Sequence, residues 1–267
     1  MSDEMSITID WSAELERAQA LPAERRLAAL LAGAGCEMHP EDGRFVMAPS
    51  AKLWAIGGLP ARALMAKGIS LEEAAGWTAE TMGSAGAMSY LSLPGGSAGA
   101  AYEKILGELG HCSAAHAASA SIVVAGVSCA VENEFNSQRD LVHMARVTEA
   151  RSSCQASPCL VVHEPIFFEL SRKALDAIEA IVEQAPSASD GVSRADAKEA
   201  LHNLFPSSKA TVFVLTGTLR NFQKLLAAKG DPGKEKEFRR MLRLIHATLG
   251  SAWPLLFPFE GKNDETA

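Results

Sequence analysis

The residues most able to do chemistry lie in the segment 110–139. It opens with a Gly-His-x-Ser turn that contains His111 and Ser113, and it ends with Gln138 and Arg139. Arginine suits a phosphate because its planar fork matches two oxygens at once. A plainer interpretation is that Ser113 caps a helix while His111 is exposed in a loop. Both interpretations can hold together, because a helix start also attracts anions.

A second group of polar residues lies in the segment 205–229. Thr218 and Arg220 stand where a strand-like apolar run gives way to a helical pattern. Arg220 is a candidate ligand-binding residue, although a solvated arginine at a helix start is common and electrostatically poor. Arg239 is a further candidate, and an ion pair with Glu235 one helical turn earlier explains it equally well.

The order of these residues resembles the signature region of the flavin-dependent thymidylate synthase family. The family pattern GHxSxxEH…GVSR…QxxRHR lines up without a gap over 110–139. The segment 216–220, TGTLR, is similar to the family's TGNLR, and 237–239, EFR, is similar to its EIR. The resemblance extends over roughly 110–257, which is more than half of the chain.

This resemblance implies a flavoenzyme of the thymidylate synthase type. Such an enzyme binds FAD and a small-molecule nucleotide, deoxyuridylate, takes a one-carbon unit from methylenetetrahydrofolate and uses hydride from NADPH. The resemblance also implies a homotetramer whose flavin sites are shared between subunits. Two other hypotheses stay open: a flavin protein of the same fold that acts on a different substrate, and a non-catalytic relative whose nucleotide site has decayed.

The resemblance also implies roles for individual residues. The family's arginine at the position of Arg220 contacts the nucleotide and helps to activate its base, so Arg220 is the predicted catalytic residue. The predicted cofactor-binding residues are His111, Ser113, Gln138, Arg139 and Thr218. The predicted substrate-binding residues are Arg151, Arg220 and Arg239.

Several positions depart from the family pattern. Residues 137–138 replace the first two residues of its Arg-His-Arg motif, and Lys224 replaces a histidine. Glu134 replaces a glutamine, and Glu149 replaces an arginine of a Ser-x-Arg pair. A glutamate in place of a phosphate-binding arginine turns attraction into repulsion. Deoxyuridylate therefore cannot be held in the same way, unless a shift of register lets Arg151 serve.

Composition places the protein among ordinary soluble globular proteins. Of its 267 residues 48% are hydrophobic and 21% charged, and the net charge of −7 gives no bulk attraction for nucleic acid. Five cysteines are too few for a disulfide framework, which favours free thiols in a reducing cytosol. No window approaches the roughly 20 apolar residues of a membrane span. We therefore expect a cytoplasmic protein without a nucleic-acid or membrane partner.

No metal site is expected from the sequence. Cys154, Cys159 and His163 are close in sequence, but no fourth ligand follows at a matching spacing. Small buried thiols explain the two cysteines better.

The pattern of elements predicts an α+β fold with a modest central β-sheet flanked by helices, as in flavin-dependent thymidylate synthases. We divide the chain into a helical N-terminal part packed on the same core (1–100), a thymidylate synthase-like domain (101–258) and a polar tail (259–267). Helices are predicted for two short segments within 59–81 and for 129–151, 171–182, 193–203, 219–228 and 238–249. A strand is predicted for 210–215, and a short extended piece for 45–47.

Overall fold

The computed structural model describes residues 7–92, 94–138, 140–146, 159–183 and 207–258. Its α-helices are α1 (Trp11–Gln19), α2 (Ala23–Gly33), α3 (Ala61–Ala66), α4 (Leu71–Tyr90), α5 (Ala98–Tyr102), α6 (Cys129–Ser137), α7 (Phe168–Glu183), α8 (Leu219–Leu226) and α9 (Lys236–Ala252). A π-helix runs over Glu103–Glu108, and 3-10 helices run over Cys112–Ala117, Pro165–Phe167 and Ala227–Gly230.

The strands form two sheets. They are β1 (Glu37–Met38), β2 (Phe45–Ala48), β3 (Ser50–Ile56), β4 (Leu59–Pro60), β5 (Ser119–Ser128), β6 (His143–Arg146), β7 (Leu160–Val161) and β8 (Ala210–Thr218). The main sheet has the order β4-β3-β5-β8-β6, and every neighbouring pair in it is antiparallel. A smaller sheet has the order β1-β2-β7. This architecture confirms the predicted α+β class.

Strand β5 lies at the centre of the main sheet and is buried on both faces. Ile122 and Val124 point into a core shared with α4, α8 and α9, whereas Val123 and Ala125 point into a core shared with α1 and α2. A strand covered on both sides needs apolar residues at consecutive positions. This explains why the apolar run in the sequence shows no alternation.

The first hundred residues take part in the same sheet as the rest of the chain. β3 pairs with β5 from Ser50↔Ala125 to Ile56↔Ala120, and α1 and α2 cover one face of that sheet. The predicted boundary at residue 100 falls within α5. Residues 1–100 therefore supply strands as well as helices, and β3 was missed by the sequence pattern.

The helix predicted for 129–151 is wrong in its second half. α6 ends at Ser137, and β6 pairs with the edge of β8 from His143↔Thr216 to Arg146↔Phe213. The apolar residues at 141–145 therefore belong to a turn and to the edge strand β6. The backbone hydrogen bonds of β6 are formed with β8, a distant part of the chain. Residues 147–151 lie outside the described residues.

Several local predictions are confirmed. The side chain of Ser70 accepts a hydrogen bond from the backbone N–H of Glu73 at 3.1 Å and so caps α4, although this helix is much longer than predicted. The helices at 171–182, 219–228 and 238–249 correspond to α7, α8 and α9, and the strand at 210–215 corresponds to β8. The helix predicted for 193–203 lies outside the described residues.

Within the described ranges, no helix is long and apolar enough to span a bilayer.

Gly126 forms a bulge in β5 and gives a test of the central packing. Its φ is +75°, and a Cβ placed there would lie 2.7 Å from Sγ of Cys36 and 2.9 Å from Cγ1 of Val46. We predict that Gly126→Ala lowers the free energy of unfolding by about 2–4 kcal/mol, because it adds left-handed strain and overpacks the core. Denaturant unfolding measures the change.

The matched control is Gly43→Ala. Apart from its two chain neighbours, no described residue has an atom within 4 Å of a Cβ placed at Gly43, and the φ of Gly43 is not in the left-handed region. It should change the free energy of unfolding by less than about 1 kcal/mol. An equal effect of the two substitutions would contradict the packing of Gly126.

Candidate active site

Two of the polar segments found in the sequence meet at one edge of the main sheet. Thr218 ends β8 opposite Ser119, the first residue of β5, and its hydroxyl caps α8 by accepting the N–H of Asn221 at 3.2 Å. The same Oγ1 lies 3.2 Å from Nδ1 of His116. The N–H of Leu219 donates to the carbonyl of Ala118 at 2.9 Å. The segments 110–118 and 216–220 are therefore in direct contact.

A cleft of about 440 Å³ opens next to this contact. His111, Ser113 and His116 line it together with Tyr90, the last residue of α4. The hydroxyl of Tyr90 forms a hydrogen bond with Nδ1 of His111, and the two rings are parallel within 7°. A hydrogen bond at Nδ1 holds the imidazole in one orientation and leaves Nε2 for a ligand.

Ser113 does not cap a helix. The 3-10 helix Cys112–Ala117 begins after His111, and no side chain caps it. Ser113 is exposed and lines the cleft, so its hydroxyl is available to a ligand. Of the two interpretations of this residue, the structure removes the capping one.

The segment that follows α6 reaches the same edge of the sheet. Gly217 lies so close to it that a Cβ would be 3.0 Å from Cγ1 of Val142 and 3.3 Å from the carbonyl of Leu141. Gln138 is half-buried at the end of α6, and its carbonyl accepts the N–H of Leu141 at 2.8 Å. Arg139 lies outside the described residues, although both of its flanks are placed.

Arg220 is held in the first turn of α8. It is half-buried, and its Nη1 donates to the side-chain oxygen of Gln223 at 3.0 Å. Gln223 in turn donates to the carbonyl of Leu256 at 3.2 Å. These bonds restrain one side of the guanidinium, so Arg220 is more than a freely solvated side chain.

Arg239 lies in the first turns of α9 and does not form the expected ion pair with Glu235. Only the backbone N–H of Arg239 bonds to Glu235, at 3.0 Å. Its Nε is buried and has no hydrogen-bond partner among the residues that the structure describes. A buried donor without a partner is costly. Among the described residues no contact links Arg239 to the cleft, and Glu237, two residues before it, is bonded to Ser128 at the opposite end of β5 from Thr218.

Glu134, which replaces a glutamine of the family pattern, is paired. Nζ of Lys234 lies 3.3 Å from its carboxylate, and both side chains are partly buried. The pair cancels most of the negative charge at this point of α6. Glu149 and Arg151 lie outside the described residues. That Arg151 serves in place of the arginine that Glu149 replaces therefore stays a prediction.

Comparison with solved structures identifies proteins that share this architecture. The flavin-dependent thymidylate synthase ThyX from Helicobacter pylori, in complex with FAD and dUMP, matches with a TM-score of 0.56 and 13% identity, over 68% of this chain and 94% of that chain. The UMP/dUMP methylase PolB from Streptomyces cacaoi, bound with 5-Br dUMP, matches with a TM-score of 0.57 and 11% identity, over 80% and 94%. No family model and no curated protein matches the sequence.

The chain has the fold of the flavin-dependent thymidylate synthases. The match to PolB covers more of the chain than 101–258 contains, so it includes part of the first hundred residues. The fold thus extends across the boundary that we drew in the sequence.

An anchor at the opposite end of β5 fixes α6 within this fold. The carboxylate of Glu237 accepts the N–H of Ser128 at 2.8 Å and its hydroxyl at 2.7 Å, and it lies 3.2 Å from Nε2 of His163. The bond to Glu237 raises the pKa of His163 above its usual value. Burial alone would raise the pKa of Glu237, but the bonds from His163 and Ser128 outweigh it and leave this pKa below its usual value.

Two residues of the site were not assigned a role in the sequence. Tyr90 ends a helix outside the segments that carry the resemblance, so no motif marks it. His116 replaces a glutamate of the family pattern, and its contact with Thr218 spans 102 positions of the chain. Among the described residues no cluster of His, Cys, Asp or Glu could hold a metal ion. Cys154 lies outside them.

The pair of His163 and Glu237 predicts a pH-dependent stability. A histidine with a raised pKa stabilises the folded state below its ordinary pKa of 6.5, and this contribution is lost as the pH rises through the raised value. Glu237 contributes above its ordinary pKa of 4.5 and loses this contribution as the pH falls through the lowered value. The contribution of the pair is therefore greatest between about pH 4.5 and 6.5.

We expect His163→Gln to lower the free energy of unfolding by up to about 1 kcal/mol near pH 5.5, because half of the histidine is exposed. The difference from the wild type should shrink towards pH 9. Denaturant unfolding at the two pH values measures both quantities. A difference that stays constant, or grows with pH, would contradict the assignment.

Proposed function

We propose that the protein is a flavin-dependent nucleotide methylase that uses FAD and methylates deoxyuridylate, with methylenetetrahydrofolate as carbon donor and NADPH as reductant. The observation that carries the proposal is the meeting of the segments 111–118 and 216–220 at one edge of the sheet, where Leu141 and Val142, which follow Gln138, pack against Gly217. These are the segments whose order resembles the family. The fold shared with ThyX and PolB supports the same proposal.

The residues at this edge suit a flavin dinucleotide. The cleft offers the donors of His111, Ser113 and His116. At about 440 Å³ the cleft is in the lower part of the range for ligand pockets, about 300–1,000 Å³, so it suits one part of a dinucleotide. We infer that neighbouring subunits complete the site in a homotetramer, where Gln138 becomes covered.

Each side chain has a separate task in this proposal. Ser113 donates to a phosphate oxygen, while His111, held by Tyr90, orients the cofactor. Arg220 contacts the nucleotide and stabilises negative charge that develops on its base, since its fork is already restrained by Gln223. FAD, when bound, supplies the hydride chemistry that amino-acid side chains lack.

A second candidate is methylation of a different uracil nucleotide. PolB is described as a UMP/dUMP methylase, and its match covers 80% of this chain, against 68% for ThyX. Positions 134, 137 and 138, which differ from the QxxRHR part of the family pattern, also lie on or next to α6. A changed nucleotide is consistent with both observations.

We predict that the purified protein is yellow and carries FAD. Reduced flavin in the anaerobic protein should be reoxidised by methylenetetrahydrofolate only when a uracil nucleotide is present, and the flavin absorbance follows this step. Faster reoxidation with dUMP supports the first candidate, and faster reoxidation with UMP supports the second. A colourless protein that takes up no added FAD would refute both and favour the decayed relative.

We further predict that Arg220→Ala lowers kcat/KM for the nucleotide by about 100-fold or more, because a charge-stabilising donor is lost. Flavin content and thermal unfolding should stay close to those of the wild type. Arg172→Ala is the matched control, since Arg172 is an exposed arginine of α7 that pairs with Glu169. Full activity of the Arg220 variant would remove this residue from the catalytic machinery.

A further inference from the structure

A groove of about 300 Å³ adjoins the cleft and continues it along α4. Its walls are α4, the β3–β4 hairpin and the segment 117–119. Ala117 lines both the cleft and the groove. On α4, Thr81 lines the groove and Ala85 lines the cleft, and these two residues are neighbours on one face of the helix. The cleft and the groove are therefore continuous with each other.

The groove differs from the cleft in its chemistry. Histidines and a serine line the cleft, whereas Leu59, Leu64 and Trp77 give the groove a largely apolar wall. None of the described residues that line the groove carries a charge. A phosphate would lose its hydration there without gaining a charged partner. The groove therefore suits an uncharged, flat group that is joined to a more polar part in the cleft.

Trp77 is the aromatic residue of the groove, and it is accessible. It leaves 43% of its surface exposed, and Leu59, which lines the same groove, leaves 52%. Large apolar side chains that are exposed together mark surfaces where a ligand or a partner binds. An aromatic side chain stacks on any nucleobase, because every base has a π face. The exposed wall of the groove is thus suited to a heteroaromatic ring.

The passage between the cleft and the groove depends on the small side chain at position 117. Ala117 is exposed, and the family pattern GHxSxxEH has a histidine at this position. A larger side chain would narrow the passage, whereas alanine leaves it open. The connection of the two spaces is therefore a feature of this chain and does not follow from the family pattern.

The length of the combined space points to a dinucleotide as its occupant. The lining residues of α4 extend from Trp77 in the groove to Tyr90 in the cleft, and at about 1.5 Å per residue this is a distance of about 20 Å. A dinucleotide carries one aromatic ring system at each end and a pyrophosphate between them. A mononucleotide has a single base and would leave one of the two spaces empty.

We propose that the groove binds the adenine ring of FAD, which stacks on Trp77, while the cleft binds the flavin half and the pyrophosphate. The flavin half belongs in the cleft because His116, which lines it, contacts Thr218, two residues before Arg220. The inference rests on the proposed function for the identity of the cofactor. It gives the cofactor a contact outside the Arg-His-Arg motif, two residues of which are replaced at 137–138.

The proposal is tested by calorimetric titration of the full-length protein, freed of flavin, with FAD and with FMN, which lacks the adenylate half. The wild type should bind FAD at least about tenfold more tightly than FMN, because only FAD places a base on Trp77. Trp77→Ala should weaken FAD about tenfold and leave the affinity for FMN unchanged. Trp77→Phe should retain part of the preference for FAD, because a phenyl ring also stacks.

A second variant and a control accompany this test. Ala117→Phe narrows the passage and should reduce the preference for FAD over FMN, although it removes no part of Trp77. Met88→Ala is the matched control, because Met88 is an exposed large apolar residue of α4 that lines neither space. It should leave both affinities unchanged, and thermal unfolding verifies that all variants are folded.

The outcomes separate this inference from the proposed function. Equal affinities of the wild type for FAD and FMN, or an unchanged affinity of Trp77→Ala for FAD, would overturn the adenine site and leave the proposed function intact. An equal loss of FAD and FMN affinity in Trp77→Ala would assign the flavin ring to the groove and also overturn it. A protein that binds neither flavin would refute the proposed function and this inference together.

Discussion

The antiparallel register of β5 and β8 is the constraint on which the rest of the structure depends. It runs from Ser119↔Thr218 to Ser128↔Ala210 and is interrupted only by the bulge at Gly126. A shift by one residue would turn every side chain of a strand to the opposite face, and both faces here are packed. The same register places Thr218 beside His116 and Ser128 beside Glu237. One strand pair thus fixes the contact beside the cleft at one end of β5 and the anchor of α6 at the other.

Much of this arrangement could be predicted from the sequence, because its signals are local. The apolar face of α9, the β-branched run of β8 and the cap formed by Ser70 are each visible within a few residues. The resemblance to the flavin-dependent thymidylate synthases joined segments that lie about a hundred positions apart, and the shared fold agrees with it. Periodicity alone could not have joined them, since it carries no information on distant pairs.

The errors arose where a distant partner decides the structure. Leu141, Val142 and Ala145 continue a helical spacing, yet β8 offers them an open edge, and an edge strand forms instead. β3 was overlooked for a similar reason, because its hydrogen bonds come from β5. Glu134 departs from the family pattern as an acidic residue, and its partner Lys234 lies one hundred positions away, where no local pattern points to it. The charge of a site cannot be assigned before its neighbours are known.

The π-helix has a consequence for how this protein tolerates changes in chain length. A π-turn contains about one residue more than an α-turn, and the N–H of His111 is tied back to the carbonyl of Ile105 at 2.9 Å. Removal of one residue from Glu103–Glu108 would therefore be absorbed by a return to α-helical winding, with little rotation of the chain that follows. His111 would keep its place beside Tyr90. This stretch is thus a point at which a helix of this protein accepts a change of length without moving the residues that line the cleft.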